Sequence, residues 1–290
     1  MENGYLGVEL FSLILINLLQ LIGDTYFMDA IETKQYGEIY SPNNFTELMD
    51  FLLSNRLGSR NVWMWRGQSN IAWSIDSGAY RRLLLDKKVI DEKDIIHYEK
   101  NLLNQATHKG FRISNGIQLN DFELLAKLQH HGAATRLVDF SKNFLVGLWF
   151  CVNENPDKTG LMLGLHSSFI GGDSEGTIED ISTYSDIVSD LDKYNFPLFI
   201  EPPVVSPRIS SQHGVFLYSA VDENLKYGSL KLTEEEFATI FIAITPEFKK
   251  QSLVILEETF DIRYPTLFPD LDGFSKYNGA NISSRKMWRW

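Results

Sequence analysis

Cysteine is almost missing from this chain: Cys151 is the one thiol among 290 residues. That excludes an internal disulfide, and it excludes a structural zinc site built from several cysteines. An intracellular, reducing compartment is the natural setting, and cytoplasmic placement is the expectation. Cys151 lies within Leu148-Trp149-Phe150-Cys151-Val152, where it reads as a small buried hydrophobe rather than a nucleophile. Positive charge is also short, with 27 Lys and Arg against 38 Asp and Glu and a formal net charge of −11. General nucleic-acid binding is therefore not expected. Arg81, Arg82, Lys87 and Lys88 do cluster, and they read as a solvated helix face or as a local basic patch. Several catalytic signatures are missing too. The chain has no Walker-type glycine loop, no Gly-x-Gly-x-x-Gly after a strand, no His-Glu-x-x-His and no Gly-x-Ser-x-Gly. Kinase, simple dehydrogenase, zinc-protease and serine-hydrolase readings lose their basis.

What is present starts with an apolar N-terminal stretch from Val8 to Ile22, interrupted by Glu9, Asn17 and Gln20. It is near the lower limit for a membrane span, and no Lys or Arg precedes it as a signal peptide would require. It reads as a helix packed on the domain, as an anchor, or as upstream sequence, with Met28 a sensible start. Membrane association is not the expectation. Downstream, Asn44 opens a helix whose Phe45, Leu48, Met49 and Leu52 share a face. Asn61 to Gln68 reads as a buried strand ending at Gly67. Helices are predicted over Val89 to Ala106, over Asp121 to His130 with a cap at Asn120 or Asp121, over Phe144 to Cys151, and over Pro246 to Phe260. Strands are predicted at Gly160 to Leu165, Phe196 to Val205, Val215 to Ala220 and Phe237 to Ile244. A strand or turn is predicted at Thr135 to Asp139. Asp173 to Asp192 reads as an acidic, irregular insertion. This mixture predicts an α+β fold: a single mixed domain with a central, partly antiparallel sheet and flanking helices. The expected boundaries are an N-terminal apolar helix and lead-in at 1–39, the domain at 40–275 and a C-terminal tail at 276–290.

The densest chemistry lies in His130-His131-Gly132-Ala133-Ala134-Thr135-Arg136-Leu137-Val138-Asp139-Phe140-Ser141, which runs directly into an apolar segment. Polar groups placed so close to a core are costly unless paired or used. Arg66, at the end of its strand, offers a planar fork of donors suited to phosphate or carboxylate. It reads as an anion clamp for a nucleotide diphosphate or as a buried structural ion pair, for example to Asp139. Gly67 after it permits close backbone approach. If Thr135 to Asp139 is extended, Arg136 and Asp139 point to opposite sides and each needs a partner elsewhere. Ser141 and Asn143 can cap the following helix. His130 and His131 diverge by about 100° on a helix, and Gly132 can break it. With no carboxylate at helical spacing, metal binding is weakly supported. One histidine acting as an acid, a base or a ligand hydrogen bonder stands level with a structural histidine. Ser211-Gln212-His213-Gly214 precedes a further strand.

Trp65-Arg66-Gly67-Gln68, the Gln129 to Ser141 segment and Ser211-Gln212-His213-Gly214-Val215-Phe216 together resemble the FRG domain family, which is named for an aromatic-Arg-Gly motif. The family's central motif, roughly Gln-His-aromatic-Gly-x-Pro-Thr-Arg-Leu-Leu-Asp-Trp-Thr, is met by Gln129, His130, Gly132, Thr135, Arg136, Leu137, Asp139 and Ser141. His131, Ala134, Val138 and Phe140 depart from it. Pro265 to Gly273 resembles the family's C-terminal end, so the likeness spans roughly residues 40 to 275. The arrangement also looks like ADP-ribosyltransferases of the Arg-Ser-Glu kind. That likeness implies an enzyme using NAD as substrate, an ADP-ribosyltransferase or NAD glycohydrolase, in a toxin or phage-defence setting. It implies catalytic roles among His131, Thr135, Asp139 and Gln212, and nucleotide-binding roles for Arg66, Gly67, Gln68, Arg136 and Ser141. Thr135 or Ser141 would supply the hydroxyl near the nicotinamide ribose. Gln212 falls where a catalytic glutamate is usual, and Glu201 or Asp139 would have to supply the missing charge. The other reading is a non-catalytic module that binds a nucleotide or an anionic partner. A nuclease-like toxin lacks the metal-binding carboxylates it would need. No metal is expected. The expected partners are a nucleotide and an unspecified protein acceptor.

Overall fold

Gly160–His166 is buried at every position, as a strand must be when it has neighbours on both edges and packing on both faces. It is the centre of the architecture. The computed structural model describes residues 29–54, 63–169, 184–200, 207–235 and 237–283. Within them the strands are β1 (Ala30–Thr33), β2 (Gly37–Tyr40), β3 (Trp63–Gln68), β4 (Ile113–Ser114), β5 (Ile117–Gln118), β6 (Val138–Ser141), β7 (Gly160–His166), β8 (Leu198–Ile200), β9 (Gly214–Tyr218) and β10 (Thr239–Ile244). Eight of these form one sheet in the order β1-β2-β10-β7-β3-β6-β9-β8, while β4 and β5 make a separate hairpin. β2 and β10 run parallel, and the other paired strands run antiparallel. The fold is α+β, as the sequence predicts. The sheet begins at Ala30, upstream of the expected domain start at residue 40.

The helices that matter for the site are α1 (Phe45–Ser54), α2 (Gly78–Leu83), α3 (Glu92–His108), α4 (Asp121–His130), α5 (Phe144–Val152), α6 (Tyr184–Asp190), α7 (Pro207–Ser211), α8 (Pro246–Glu258), α9 (Tyr264–Leu267) and α10 (Leu271–Tyr277). Their starts follow local chemistry. Asn44 accepts the Glu47 amide at 3.0 Å. Asn120 and Glu123 form a reciprocal capping box at the head of α4, and Thr245 caps α8 with Pro246 in its first turn. At the far end of α4, Gly132 takes a positive φ of 87° and ends the helix after His131.

Two helix groups cover the same face of the sheet. Register places Trp65 opposite Ser141 and Ser141 opposite Gly214, so these residues and, by alternation, Phe216 and Tyr218 share that face. Over β3, β7 and β10 lie α1, α5 and α8, whose Leu48, Leu148, Cys151, Phe248 and Leu256 pack with Trp65, Met162, Ile242 and Ile244. Over β8 and β9 lie α3, α4 and α6, joined through Leu103, Phe122, Leu125, Ile187, Leu198, Phe216 and Tyr218. The other face is covered by connecting segments that carry Ile75, Leu230 and Leu232.

Three expectations change. Part of the Asp173 to Asp192 insertion is α6, with Tyr184, Ile187 and Leu191 in the core. The intervening acidic residues masked that apolar spacing; residues 170–183 lie outside the described residues. The strand predicted from Phe196 to Val205 is described as Leu198–Ile200, and 201–206, including Glu201, also lie outside. The strand near Asp139 begins at Val138, so Thr135 to Leu137 do not alternate as an extended strand would. No helix among the described residues is long and apolar enough to cross a membrane. The Val8 to Ile22 stretch falls outside them.

Candidate functional site

β3 and β7 pair along their whole length, from Trp63 with His166 to Gln68 with Leu161. On its other edge β3 meets β6 at the single pair Trp65 and Ser141. Beyond that pair the two strands separate, and the sheet splits between the two helix groups. Arg66 sits at the split. It lines three adjoining cavities, of about 360, 400 and 570 Å³, so it stands where they meet. Gly67 forms the floor. A Cβ there would lie 2.0 Å from the Gly147 carbonyl oxygen and 2.5 Å from the Cys151 amide nitrogen. Packing of β3 on α5 therefore requires this glycine whether or not a ligand approaches.

The guanidinium of Arg66 is lightly held. Its Nη1 donates to the Asp139 carbonyl at 2.9 Å and its Nε to Gln68 Oε1 at 3.4 Å. Gln68 is buried and anchored in turn, donating to the Trp73 carbonyl at 3.0 Å. Desolvation lowers the pKa of Arg66; attraction to Asp139 opposes that shift and repulsion from Arg81 adds to it. The expected approach of Arg66 to Asp139 is present, but through the backbone of Asp139 rather than its carboxylate. That carboxylate is exposed and accepts Gln129 Nε2 at 2.8 Å. Gln129 is fixed by the buried Thr135, whose Oγ1 donates to Gln129 Oε1 and accepts the Leu137 amide at 3.2 Å. Thr135 thus lies behind Gln129 and orients it; the structure does not bring its hydroxyl into the cleft.

The opposite wall comes from the C-terminal half of the chain. Arg208 holds Asp270 through two bonds of 2.9 Å and lies over the Phe268 ring at 4.8 Å. His130 Nε2 is 3.5 Å from Asp270 Oδ2. Desolvation lowers the pKa of His130, and Arg208 reinforces this, which favours the neutral imidazole. Gln212 lines the same cavity and donates to the Leu267 carbonyl at 3.0 Å. Ser141 is buried, donates to the Gln212 carbonyl at 2.7 Å and accepts the Asn143 amide at 3.0 Å. The cap of α5 is Asn143, not Ser141. Ser141 ties the two sides of the split together.

Three residues singled out from the sequence are placed differently. Arg136 is buried away from the cleft, with Nη1 2.5 Å from Glu92 Oε1, Nε 3.3 Å from Glu99 Oε2, and its guanidinium 4.9 Å from the Tyr218 ring centre. Burial opposes its charge, yet Tyr218, Glu99, Tyr184 and Glu92 hold its pKa above the usual arginine value. Its spacing from Arg66 could not show that two glutamates of α3 enclose it. His131 caps the end of α4, is exposed, and lies 3.7 Å from Asp272; its neighbour His130 lines the cavity instead. Thr135, as described, is buried behind Gln129. Arg66 and Gln212 therefore share one concave site as expected, while His131, Thr135 and Arg136 do not join them. The residues that sequence reasoning passed over are Gln129, His130, Arg208 and Phe268. Gln129 and His130 stood in the central motif and Phe268 in the Pro265 to Gly273 stretch, but none of the four was given a role. The weak metal signal of the histidine pair also gains a tertiary partner. His130, His131 and Asp272 bring ligand-type atoms within 4.8 Å of one another, because α10 supplies the carboxylate that α4 lacks. The Arg208 guanidinium beside His130 disfavours a cation there.

The FRG domain family model matches residues 61–160. No curated protein and no solved structure matches the chain. The matched segment contains β3 with Trp65-Arg66-Gly67, the Gln129 to Ser141 arm that faces it, and α5 beneath Gly67. Gln212 and the Arg208–Asp270 wall lie downstream of it. Both edges of the split and its floor thus fall within the matched residues, and the chain carries an FRG domain.

Proposed function

We propose that this FRG-domain protein binds a nucleotide in the cleft of the split sheet, with NAD the leading candidate, and cleaves it as an ADP-ribosyltransferase-like enzyme. One observation carries the reading. The Arg66 guanidinium, engaged by a carbonyl and an amide oxygen but by no carboxylate oxygen among the described residues, opens onto the cavities beside the exposed Asp139 carboxylate. An arginine so placed suits a phosphate, and a carboxylate beside it suits a developing positive charge. In the reaction, the bond between the ribose anomeric carbon and the nicotinamide nitrogen breaks, and its electron pair leaves with nicotinamide. Asp139, oriented by Gln129, stabilises the cationic sugar. Water or an acceptor nucleophile adds to the anomeric carbon and releases its proton to solvent. Gln212 cannot stabilise that charge as a carboxylate would. This specific feature favours a second reading, a binding module that holds the nucleotide or an anionic partner without breaking a bond. A toxin or defence role belongs to the first reading.

The test is NAD binding by calorimetry together with nicotinamide release, on wild type, Arg66→Ala and Asp139→Asn. The enzyme reading expects release by wild type, loss of release with retained binding in Asp139→Asn, and loss of binding in Arg66→Ala. Binding by wild type without release, alone or with cell lysate, selects the module. No binding of NAD by wild type overturns the NAD assignment.

A further inference from the structure

Arg81 is a cation that the proposed reaction does not use. It projects from α2, which is firmly seated. The Ala79 amide donates to the Thr135 carbonyl at 2.8 Å, Ser77 caps the Tyr80 amide at 3.2 Å, and Ala79 and Tyr80 are buried. Arg81 lines the same two cavities as Arg66, those of about 400 and 570 Å³. The pair repel, since Arg81 contributes to lowering the pKa of Arg66. Neither makes an ion pair with a carboxylate among the described residues. Three carboxylates line these two cavities, Asp76, Asp139 and the exposed Glu154, and the first two are each engaged in a hydrogen bond. Asp76 Oδ1 accepts the Ser229 amide at 2.7 Å, and Asp139 Oδ1 accepts Gln129 at 2.8 Å. Arg82, next in the chain, also lines the cavity of about 400 Å³, but its guanidinium lies over the Tyr98 ring at 5.6 Å, so it is held by a different neighbour.

We infer that Arg66 and Arg81 form a two-guanidinium clamp for a diphosphate, which makes the ligand class a nucleoside diphosphate or its ester. The inference rests on the nucleotide reading above and adds to it which part of the ligand is recognised, and by what. Two like charges facing one cavity are destabilising when empty, and a dianion between them removes the repulsion and satisfies both forks. A monophosphate presents one such group and engages one arginine fully. The flanking walls suit the remainder of the ligand. Trp73 and Phe150 line the cavity of about 570 Å³, where a flat base can stack.

The experiment is calorimetric titration of the full chain with ADP, AMP, inorganic pyrophosphate and NAD. The proteins are wild type, Arg81→Ala, Arg82→Ala and Arg66→Ala, each with its melting temperature. Wild type is expected to prefer ADP to AMP. Arg81→Ala is expected to weaken ADP and pyrophosphate by about tenfold, the scale of one charged hydrogen-bonding group, with AMP little changed and melting unaltered. Arg82→Ala is expected to weaken ADP by clearly less than Arg81→Ala, because its guanidinium is held over Tyr98; an equal loss overturns the pairing of Arg66 with Arg81. If Arg66→Ala abolishes ADP binding while Arg81→Ala leaves it intact, the clamp is overturned and the nucleotide reading survives. If pyrophosphate binds through both arginines but NAD does not bind, the NAD assignment fails and the clamp stands. If wild type binds none of the four, both are overturned. Should Arg81→Ala lower the melting temperature, Arg81→Gln decides by the same criteria.

Discussion

Arg136 and Arg66 are both polar intrusions into apolar surroundings, and the structure treats them in opposite ways. Arg136 is enclosed. Glu92 and Glu99 pair with it, and the Tyr184 and Tyr218 hydroxyls donate to Glu99 Oε2 at 2.7 and 3.0 Å. The Arg136 amide itself donates to Glu99 Oε1 at 2.7 Å. Arg66 is half-buried, has neutral oxygens as partners, and faces open space with a second arginine across it. A buried cation surrounded by carboxylates has its charge answered within the fold. One given neutral acceptors beside a cavity keeps binding capacity. The residue type is the same, and the partner supplied by tertiary packing decides its use.

The largest expected effect is on the enclosed side. Arg136→Met should lower stability by about 3–5 kcal/mol, because it strands the buried Glu99 and the half-buried Glu92, read as a large drop in denaturant midpoint. A midpoint near wild type would show that Arg136 is not the keystone of that pocket. Next comes the floor of the open side. Gly67→Ala should cost at least about 1–3 kcal/mol from overpacking against α5, because the added methyl meets backbone atoms that cannot rotate away. Wild-type melting would mean that β3 and α5 can separate freely, and the cleft geometry would then be less fixed than its contacts indicate.

Arg66→Ala should invert the pattern of Arg136. Nucleotide affinity should fall by about ten- to a hundredfold, corresponding to about 1.5–3 kcal/mol, while the melting temperature stays close to wild type. A melting shift with unchanged affinity would place Arg66 with Arg136 and erase the contrast. The smallest effect is in pH. Desolvation lowers the folded pKa of His130 below its unfolded value, so the unfolded chain binds the proton first. This residue's share of stability is full above about pH 6.5 and declines as pH falls below it. His166 is lowered by desolvation too. His130→Gln should therefore flatten part of the decline in melting temperature between neutral and mildly acidic pH, leaving a remainder for His166. An unchanged slope would detach His130 from the cleft wall.

Much of this was legible in the sequence. Asn44, Asn120 and Pro246 announced their helices because capping is local chemistry, needing only residues within one turn. The apolar run at Gly160 to Leu165 announced a buried strand because enclosure on all sides removes the need for alternation. Arg66, Asp139, Ser141 and Gln212 could be singled out because charge or amide groups beside apolar segments are conspicuous. Which of them would meet was not legible. Arg136 looked as available as Arg66 until α3 was seen to deliver Glu92 and Glu99 from far upstream. His131 looked as apt as His130 until the end of α4 turned one toward Asp270 and left the other in solvent. Arg208 lies outside the motifs and Phe268 inside a stretch that assigns it no role, and both become cleft residues only when the C-terminal helices close over the split.

The sequence by itself thus determined the α+β class, most of the elements and the polar residues whose burial would need a reason. The tertiary structure alone decided that β3 and β6 part after one residue pair, and that Arg66 rather than Arg136 opens onto the gap. The physical reason is range. Propensity, capping and periodicity act within a few residues, whereas a cation's partner and a cavity's walls are set by segments distant in the chain that only packing brings together.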